Sequence, residues 1–102
     1  MKNIVSIFGG HDANITFFNG QYHIIELERL LKKRYIGLYT VDINLKDEEI
    51  IEILQECQDI ANRFWGVENN YECVLINSQW NKPRSLIENV FKSDKYLTLT
   101  NH

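Results

Sequence analysis

An Asn-Gly pair set between two β-rich runs constrains this chain more than any other feature. Asn19-Gly20 follows Ile15-Thr16-Phe17-Phe18 and precedes Tyr22-His23-Ile24-Ile25-Glu26. Both central positions of a two-residue type I′ turn need positive φ, which Asn and Gly tolerate best, so the pair predicts a hairpin. Upstream, Ile4-Val5-Ser6-Ile7-Phe8 is another β-rich run, and it stops at Gly9-Gly10. The first quarter of the chain is therefore expected to form a three-stranded antiparallel meander.

The period then changes. Leu27, Leu30, Leu31 and Arg34 recur at helical spacing, and Glu28 with Lys32 is a favourable pair one turn apart. This predicts a short helix over Glu28–Tyr35 that ends near Gly37. Residues 37–45 suit either a strand fragment around Tyr39-Thr40-Val41 or an ordered loop. From Asp47 to Trp65 the apolar residues Ile50, Ile53, Leu54, Cys57, Ile60, Ala61 and Phe64 fall on one face of a 3.6-residue period, which predicts a long amphipathic helix. Asp47 is the expected N-cap, Glu48 and Glu49 suit the first turn, and Gly66 suits the position after the last.

Tyr71–Ile76 reads as a strand, apolar enough at Val74, Leu75 and Ile76 to be buried on both faces. Asn81–Pro83 reads as a loop and Ser85–Phe91 as a short helix through Leu86, Ile87, Val90 and Phe91. Tyr96–Thr100 is the last strand. The expected fold class is α/β: a meander, then helix-strand-helix-strand on one mixed sheet, in a single domain over residues 1–102. This order resembles that of the ribonuclease-H-like fold, on which actin-like ATPases and sugar kinases are built; the chain matches a half-domain of it. In that architecture the loop after the first strand faces the ligand, at the carboxyl ends of the parallel strands.

Charge and length exclude some classes. With 11 basic and 14 acidic residues the net charge is −3, which argues against a nucleic-acid-coating surface. No apolar run approaches the ~18 residues of a membrane span. The start of the chain lacks the apolar stretch of a signal peptide. Cys57 and Cys73 are too few for a disulfide framework, so both are expected as reduced thiols in the cytoplasm. A single proline and 12% aromatic residues argue against disorder.

The stretch that carries chemistry is Gly9-Gly10-His11-Asp12-Ala13-Asn14. Two glycines let the backbone turn sharply and approach a ligand. The His11 imidazole can take or give a proton near neutral pH, and the Asp12 carboxylate can orient it or bind a hydroxyl. On its own the stretch also suits an ordinary glycine turn carrying two surface polar residues. Other signals are weaker. Lys32-Lys33-Arg34 with Lys46 suits a phosphate contact or simply a solvated helix face. His23 lies amid apolar neighbours and reads as a packed or edge residue, Cys57 and Cys73 as core, and Phe64 and Trp65 as packing at the helix end. Trp80 suits a partly exposed contact surface.

From Gly9 to Tyr35 the chain resembles the start of the O-carbamoyltransferase family, which includes the NodU nodulation proteins and antibiotic carbamoyltransferases. Members open with a strand and a Gly-His-Asp-Ala-Ser-like loop, here Gly10-His11-Asp12-Ala13-Asn14. A strand, a turn with Gly and another strand lead into Glu-Glu-Arg-Phe-x-Arg-x-Lys-His, here ending Glu28-Arg29-Leu30-Leu31-Lys32-Lys33-Arg34-Tyr35. Asn14 replaces Ser, Leu30 the aromatic, Arg34 a Lys and Tyr35 a His. Arg keeps the charge but presents a planar fork in place of a point donor.

The resemblance implies the N-terminal part of a Kae1-like carbamoyltransferase domain. In the family, carbamoyl phosphate and ATP form a carbamoyl-adenylate, and the carbamoyl group passes to a hydroxyl of a sugar or antibiotic. His11 would be the general base and Asp12 would hold the acceptor or the imidazole. Gly9, Gly10, Asn14 and Arg34 would line the ligand, while Glu28 and Arg29 would order the turn beneath it by pairing. The family ligates a divalent or iron metal through two histidines four apart in a His-His-x-x-His-Ala run. His102, after the last strand, would be the first of these in a full-length enzyme. The chain alone is then expected to be inactive, without bound ATP or metal, and to self-associate through exposed apolar surface. The competing expectation is a small non-enzymatic α/β module that binds a protein or nucleotide. A sugar-kinase reading is disfavoured because the first loop lacks Asp-x-Gly-Thr.

Overall fold

Every second residue of the three β-rich runs is buried against one side of a sheet: Val5 and Ile7, then Ile15 and Phe17, then Ile25. The computed structural model describes residues 3–9, 13–27, 29–30, 46–77 and 83–99. They form β1 (Asn3–Phe8), β2 (Asn14–Phe18), β3 (Tyr22–Glu26), α1 (Asp47–Trp65), β4 (Tyr71–Asn77), α2 (Ser85–Glu88) and β5 (Tyr96–Leu99). The class is α/β with one five-stranded mixed sheet in the order β3-β2-β1-β4-β5. β2 pairs antiparallel with both β1 and β3; β4 pairs parallel with β1 and β5. Leu27, Arg29 and Leu30 are helical, so the chain leaves β3 in a helical turn; the rest of the expected helix over Glu28–Tyr35 and residues 37–45 lie outside the described residues.

Both α1 and α2 pack on the same face of the sheet. Ile50, Ile53, Leu54, Cys57 and Ala61 of α1 and Leu86 and Ile87 of α2 share one core with Val5, Ile7, Ile15, Phe17, Val74 and Ile76. Phe17 is its centre, with ring centroids 6.4 Å from Trp65, 6.4 Å from Tyr71 and 6.1 Å from Phe91. On the other face Cys73 is buried and Leu75 half-buried, so β4 meets the expectation of burial on both sides only in part. Among the described residues no helix covers that second face.

Local chemistry corrects three expected details. Gly20 has φ 105°, but no non-glycine among the described residues has positive φ, so the hairpin turn is not type I′. Phe18 pairs with Tyr22, leaving a three-residue loop. Asn19 shapes it with its side chain, whose Oδ1 accepts from the Gln21 N–H at 3.3 Å. The N-cap of α1 is Lys46, not Asp47: Lys46 is extended, and its N–H donates to Glu49 Oε1 at 3.2 Å, half of a capping box. Finally, α2 ends at Glu88 and not at Phe91. Helical hydrogen bonds still continue to Phe91, whose N–H donates to Ile87 O at 2.9 Å, and Asn69 holds the segment that follows, donating through Nδ2 to Val90 O at 2.7 Å and accepting from the Lys92 N–H at 2.9 Å. Phe64, expected to pack, points to solvent, while Trp65 packs on the core.

Gly66 ends α1 as expected, in the left-handed region at φ 66° and ψ 24°. Its N–H bonds Asn62 O and that of Val67 bonds Ala61 O, each at 3.1 Å, which satisfies last-turn carbonyls. A Cβ at Gly66 would meet nothing within 4 Å, so Gly66→Ala should cost only the left-handed backbone penalty, about 1–2 kcal/mol. Phe17→Ala removes the shared ring from a filled core and should cost about 3–5 kcal/mol. Urea unfolding of both variants checks the ranking, and equal costs would contradict the central place of Phe17.

Candidate functional site

Four strands, β1, β3, β4 and β5, run in the same direction and end on one rim of the sheet, at Phe8, Glu26, Asn77 and Leu99. From that rim the chain leaves β1 toward β2 on one side and leaves β4 toward β5 on the other. The strand order therefore reverses between β1 and β4, the kind of point where open α/β sheets leave a crevice for ligands. Gly9 follows β1 directly and is half-buried. Phe8 pairs with Asn14, so Gly9, after β1, and Ala13, before β2, stand at this rim. The Leu27 N–H donates to Ala13 O at 3.0 Å and pins the end of the loop to the exit of β3. Ala13 also packs on the core.

Asn14 opens β2, and its Oδ1 accepts from the Thr16 hydroxyl at 3.3 Å along the helix-free face. The Arg29 Nε lies 3.5 Å from Glu26 Oε2 in a solvent-exposed pair. Such a pair adds little stability, but it sets both charges beside the loop. Gly10, His11, Asp12, Glu28, Arg34 and His102 lie outside the described residues, as do Lys32, Lys33 and Trp80. The structure thus brings Gly9, Asn14, Glu26 and Arg29 to the carboxyl-end rim. Asn77 also reaches it, as the last residue of β4 opposite Leu99. Sequence reasoning ended this strand one residue early. The available signal was a carboxamide closing an otherwise apolar run. Among the described residues no three His, Cys, Asp or Glu side chains gather to hold a metal, and no helix is long and apolar enough to cross a membrane.

The opposite end of the sheet holds the other polar clusters, and they tie the scaffold together. Asn19 Nδ2 donates to Trp65 O at 2.9 Å, fastening the hairpin loop to the end of α1. His23 stacks on Trp65, with centroids 4.5 Å apart and planes 9° from parallel, and its Nε2 lies 3.2 Å from Asn19 Oδ1. This agrees with its expected packed role. Nearby, the buried Gln58 accepts the Tyr71 hydroxyl and donates through Nε2 to Val67 O at 3.0 Å. Burial pushes the Tyr71 hydroxyl well above the usual phenol range, although the Gln58 hydrogen bond acts the other way. Cys57 and Cys73 are both free and buried. Desolvation, helped by the Glu56 carboxylate, pushes the Cys57 thiol up to about 12.

No family model matches the chain, and neither the curated proteins nor the solved structures compared with it give a match.

These buried groups set a pH dependence. An acid whose folded pKa is raised holds its proton in the folded state after the unfolded state has lost it, so stability is complete below the unfolded pKa and falls above it. For Cys57 the fall begins near the ordinary thiol value of 9.0 and continues toward about 12. Tyr71 steepens it above 10.0. Urea unfolding under reducing conditions should show stability dropping across this alkaline window, by at most about 1.4 kcal/mol per pH unit for each group. The native protein should leave Cys57 unreactive toward thiol reagents below pH 9.0. Rapid labelling of the folded chain would contradict its burial.

Proposed function

We propose that the chain is the N-terminal portion of a carbamoyltransferase, built on a ribonuclease-H-like half-domain. The reaction is transfer of a carbamoyl group from carbamoyl phosphate, by way of an ATP-derived carbamoyl-adenylate, to a hydroxyl acceptor such as a sugar or antibiotic. One observation carries the reading: the sheet order β3-β2-β1-β4-β5 sets the β1/β4 reversal at the end of β1, where Gly9 follows. A Gly-His-Asp loop at the carboxyl end of β1 is where such a sheet receives a ligand.

In this reading His11 takes the proton of the acceptor hydroxyl as oxygen attacks the carbamoyl carbon. Asp12 orients the acceptor or the imidazole. The glycines let backbone N–H groups approach the ligand, and Arg34 supplies positive charge to the intermediate. In the family ATP supplies the adenylyl leaving group, and the metal is held by a histidine pair that His102 would begin. A non-enzymatic binding module is the second reading, favoured by the sheet face that no helix covers among the described residues, where Tyr22, Ile24, Leu97 and Leu99 are exposed.

Amide chemical shifts of ¹⁵N-labelled chain, followed during titration with fresh carbamoyl phosphate and separately with ATP, distinguish the two. The transferase reading expects millimolar-scale binding, about 4 kcal/mol, with shifts confined to Gly9–Asn14 and Asn77. Silence at these amides in tens of millimolar ligand would sink it. ATP affinity in the micromolar range would contradict a half-site. Binding is expected to weaken in His11→Ala and Asp12→Asn, while Arg29→Ala changes it little.

A further inference from the structure

We propose that Asn19 is a site of spontaneous covalent modification: its carboxamide becomes a carboxylate by way of a cyclic imide with Gly20, and the change unlatches the β2–β3 hairpin from α1. Asn19 is the one asparagine of the chain that glycine follows. Glycine has no Cβ, so its backbone nitrogen is the least hindered nucleophile that can adjoin a carboxamide. Gly20 is exposed, and its N–H makes no hydrogen bond among the described residues.

The chemistry needs only water. The Gly20 nitrogen bonds to Asn19 Cγ and gives up its proton to water or hydroxide. The Cγ–Nδ2 bond breaks, and the amide nitrogen leaves as ammonia with a proton taken back from water. Water then adds to either imide carbonyl, and ring opening yields aspartate or isoaspartate. Nothing is oxidised or reduced. In isoaspartate the main chain runs through the former side chain and is one carbon longer.

The fold holds the carboxamide against this reaction. Its Oδ1 accepts from the Gln21 N–H at 3.3 Å, an Asx turn, and lies 3.2 Å from His23 Nε2. Its Nδ2 donates to Trp65 O at 2.9 Å. The His23 ring is itself fixed by stacking on Trp65. Cγ cannot swing onto the Gly20 nitrogen until these contacts break. They form a latch, and conversion proceeds only when the hairpin opens locally from α1. Afterwards the latch cannot reform. Aspartate has no N–H for Trp65 O, and its charge faces the carbonyl end of α1, where the helix dipole disfavours an anion. Isoaspartate also lengthens the loop between the paired Phe18 and Tyr22. Opening is reversible, but the modification makes it one-way.

Peptide mapping by mass spectrometry tests this on the full chain, incubated at mildly alkaline pH in buffer and in denaturing urea. Asn19 is expected to convert to aspartate and isoaspartate at least about tenfold faster in urea, ahead of every other asparagine. His23→Phe keeps the ring stack but removes the nitrogen at Oδ1. It should speed conversion in buffer about fivefold, the worth of one ordinary hydrogen bond. Asn19→Asp installs one product. It should raise amide exchange at Gln21, Gly66 and Val67 about tenfold with circular dichroism unchanged. Equal rates in buffer and urea overturn the latch, as does slower conversion in His23→Phe, which would make the ring a catalyst. An unmodified Asn19 in urea overturns the site, and wild-type exchange in Asn19→Asp overturns the unlatching. Asn19 lies at the opposite end of the sheet from Gly9, so none of these results bears on the carbamoyl phosphate titration.

Discussion

Phe17 holds three parts of the chain to one point. It stands in the second strand, yet its ring meets Trp65 at the end of α1, Tyr71 at the start of β4 and Phe91 just after α2. Tyr71 and Phe91 also meet edge to face at 5.9 Å, which closes the triangle. Edge and tilted ring contacts add to the area they bury because each ring's positive edge finds a negative face. The β-hairpin alone would be marginal in water, as would an isolated short helix. Packing around Phe17 makes each of them conditional on the others.

That packing is concentrated at the amino end of the parallel strands. Hydrogen bonds reinforce it there: Asn19 holds the end of α1, Gln58 joins Tyr71 to Val67, and Asn69 holds Val90 after α2. Polar groups buried in this way are costly unless satisfied, and the ones named are satisfied. The carboxyl-end rim is built differently. Gly9, Asn14 and the Glu26–Arg29 pair are half-buried or exposed there. The sheet therefore has a tied end and a freer end, and the loop bearing His11 and Asp12 starts and finishes at the freer one. This is the usual division between scaffold and site.

The sequence was most legible where periodicity is strong. The alternation in β1 to β3 and the apolar stripe of α1 identify their elements and the faces they bury. Cys57 in the core, Gly66 at the helix end and His23 as a packed residue follow from position alone. What escaped was set by side-chain hydrogen bonds between distant residues. Asn19 reads as a type I′ turn residue, but its carboxamide serves the end of α1, 46 positions away. Asn69 fastens the segment after α2 from 21 positions away. Neither partner is visible in a local window. The partial exposure of Leu75 was missed for a related reason: an apolar run states that a strand wants cover, not which element supplies it. Among the candidate site residues, Gly9 and Asn14 were found from the loop motif. Asn77 was hidden because strand reasoning favours apolar termini.

The open face and the rim are not independent surfaces. Phe8 and Asn14 form a cross-strand pair, and Asn77 pairs with Leu99, so the row nearest the carboxyl ends contains two carboxamides beside two large apolar side chains. Anything that covers the apolar part of this row also lowers the dielectric around the carboxamides. A hydrogen bond from such a group to a ligand strengthens when water is excluded, and an unsatisfied one becomes costly. Asn14, Phe8, Asn77 and Leu99 thus share the rim at which Gly9 follows β1, and the polarity there is set by which of these side chains water reaches.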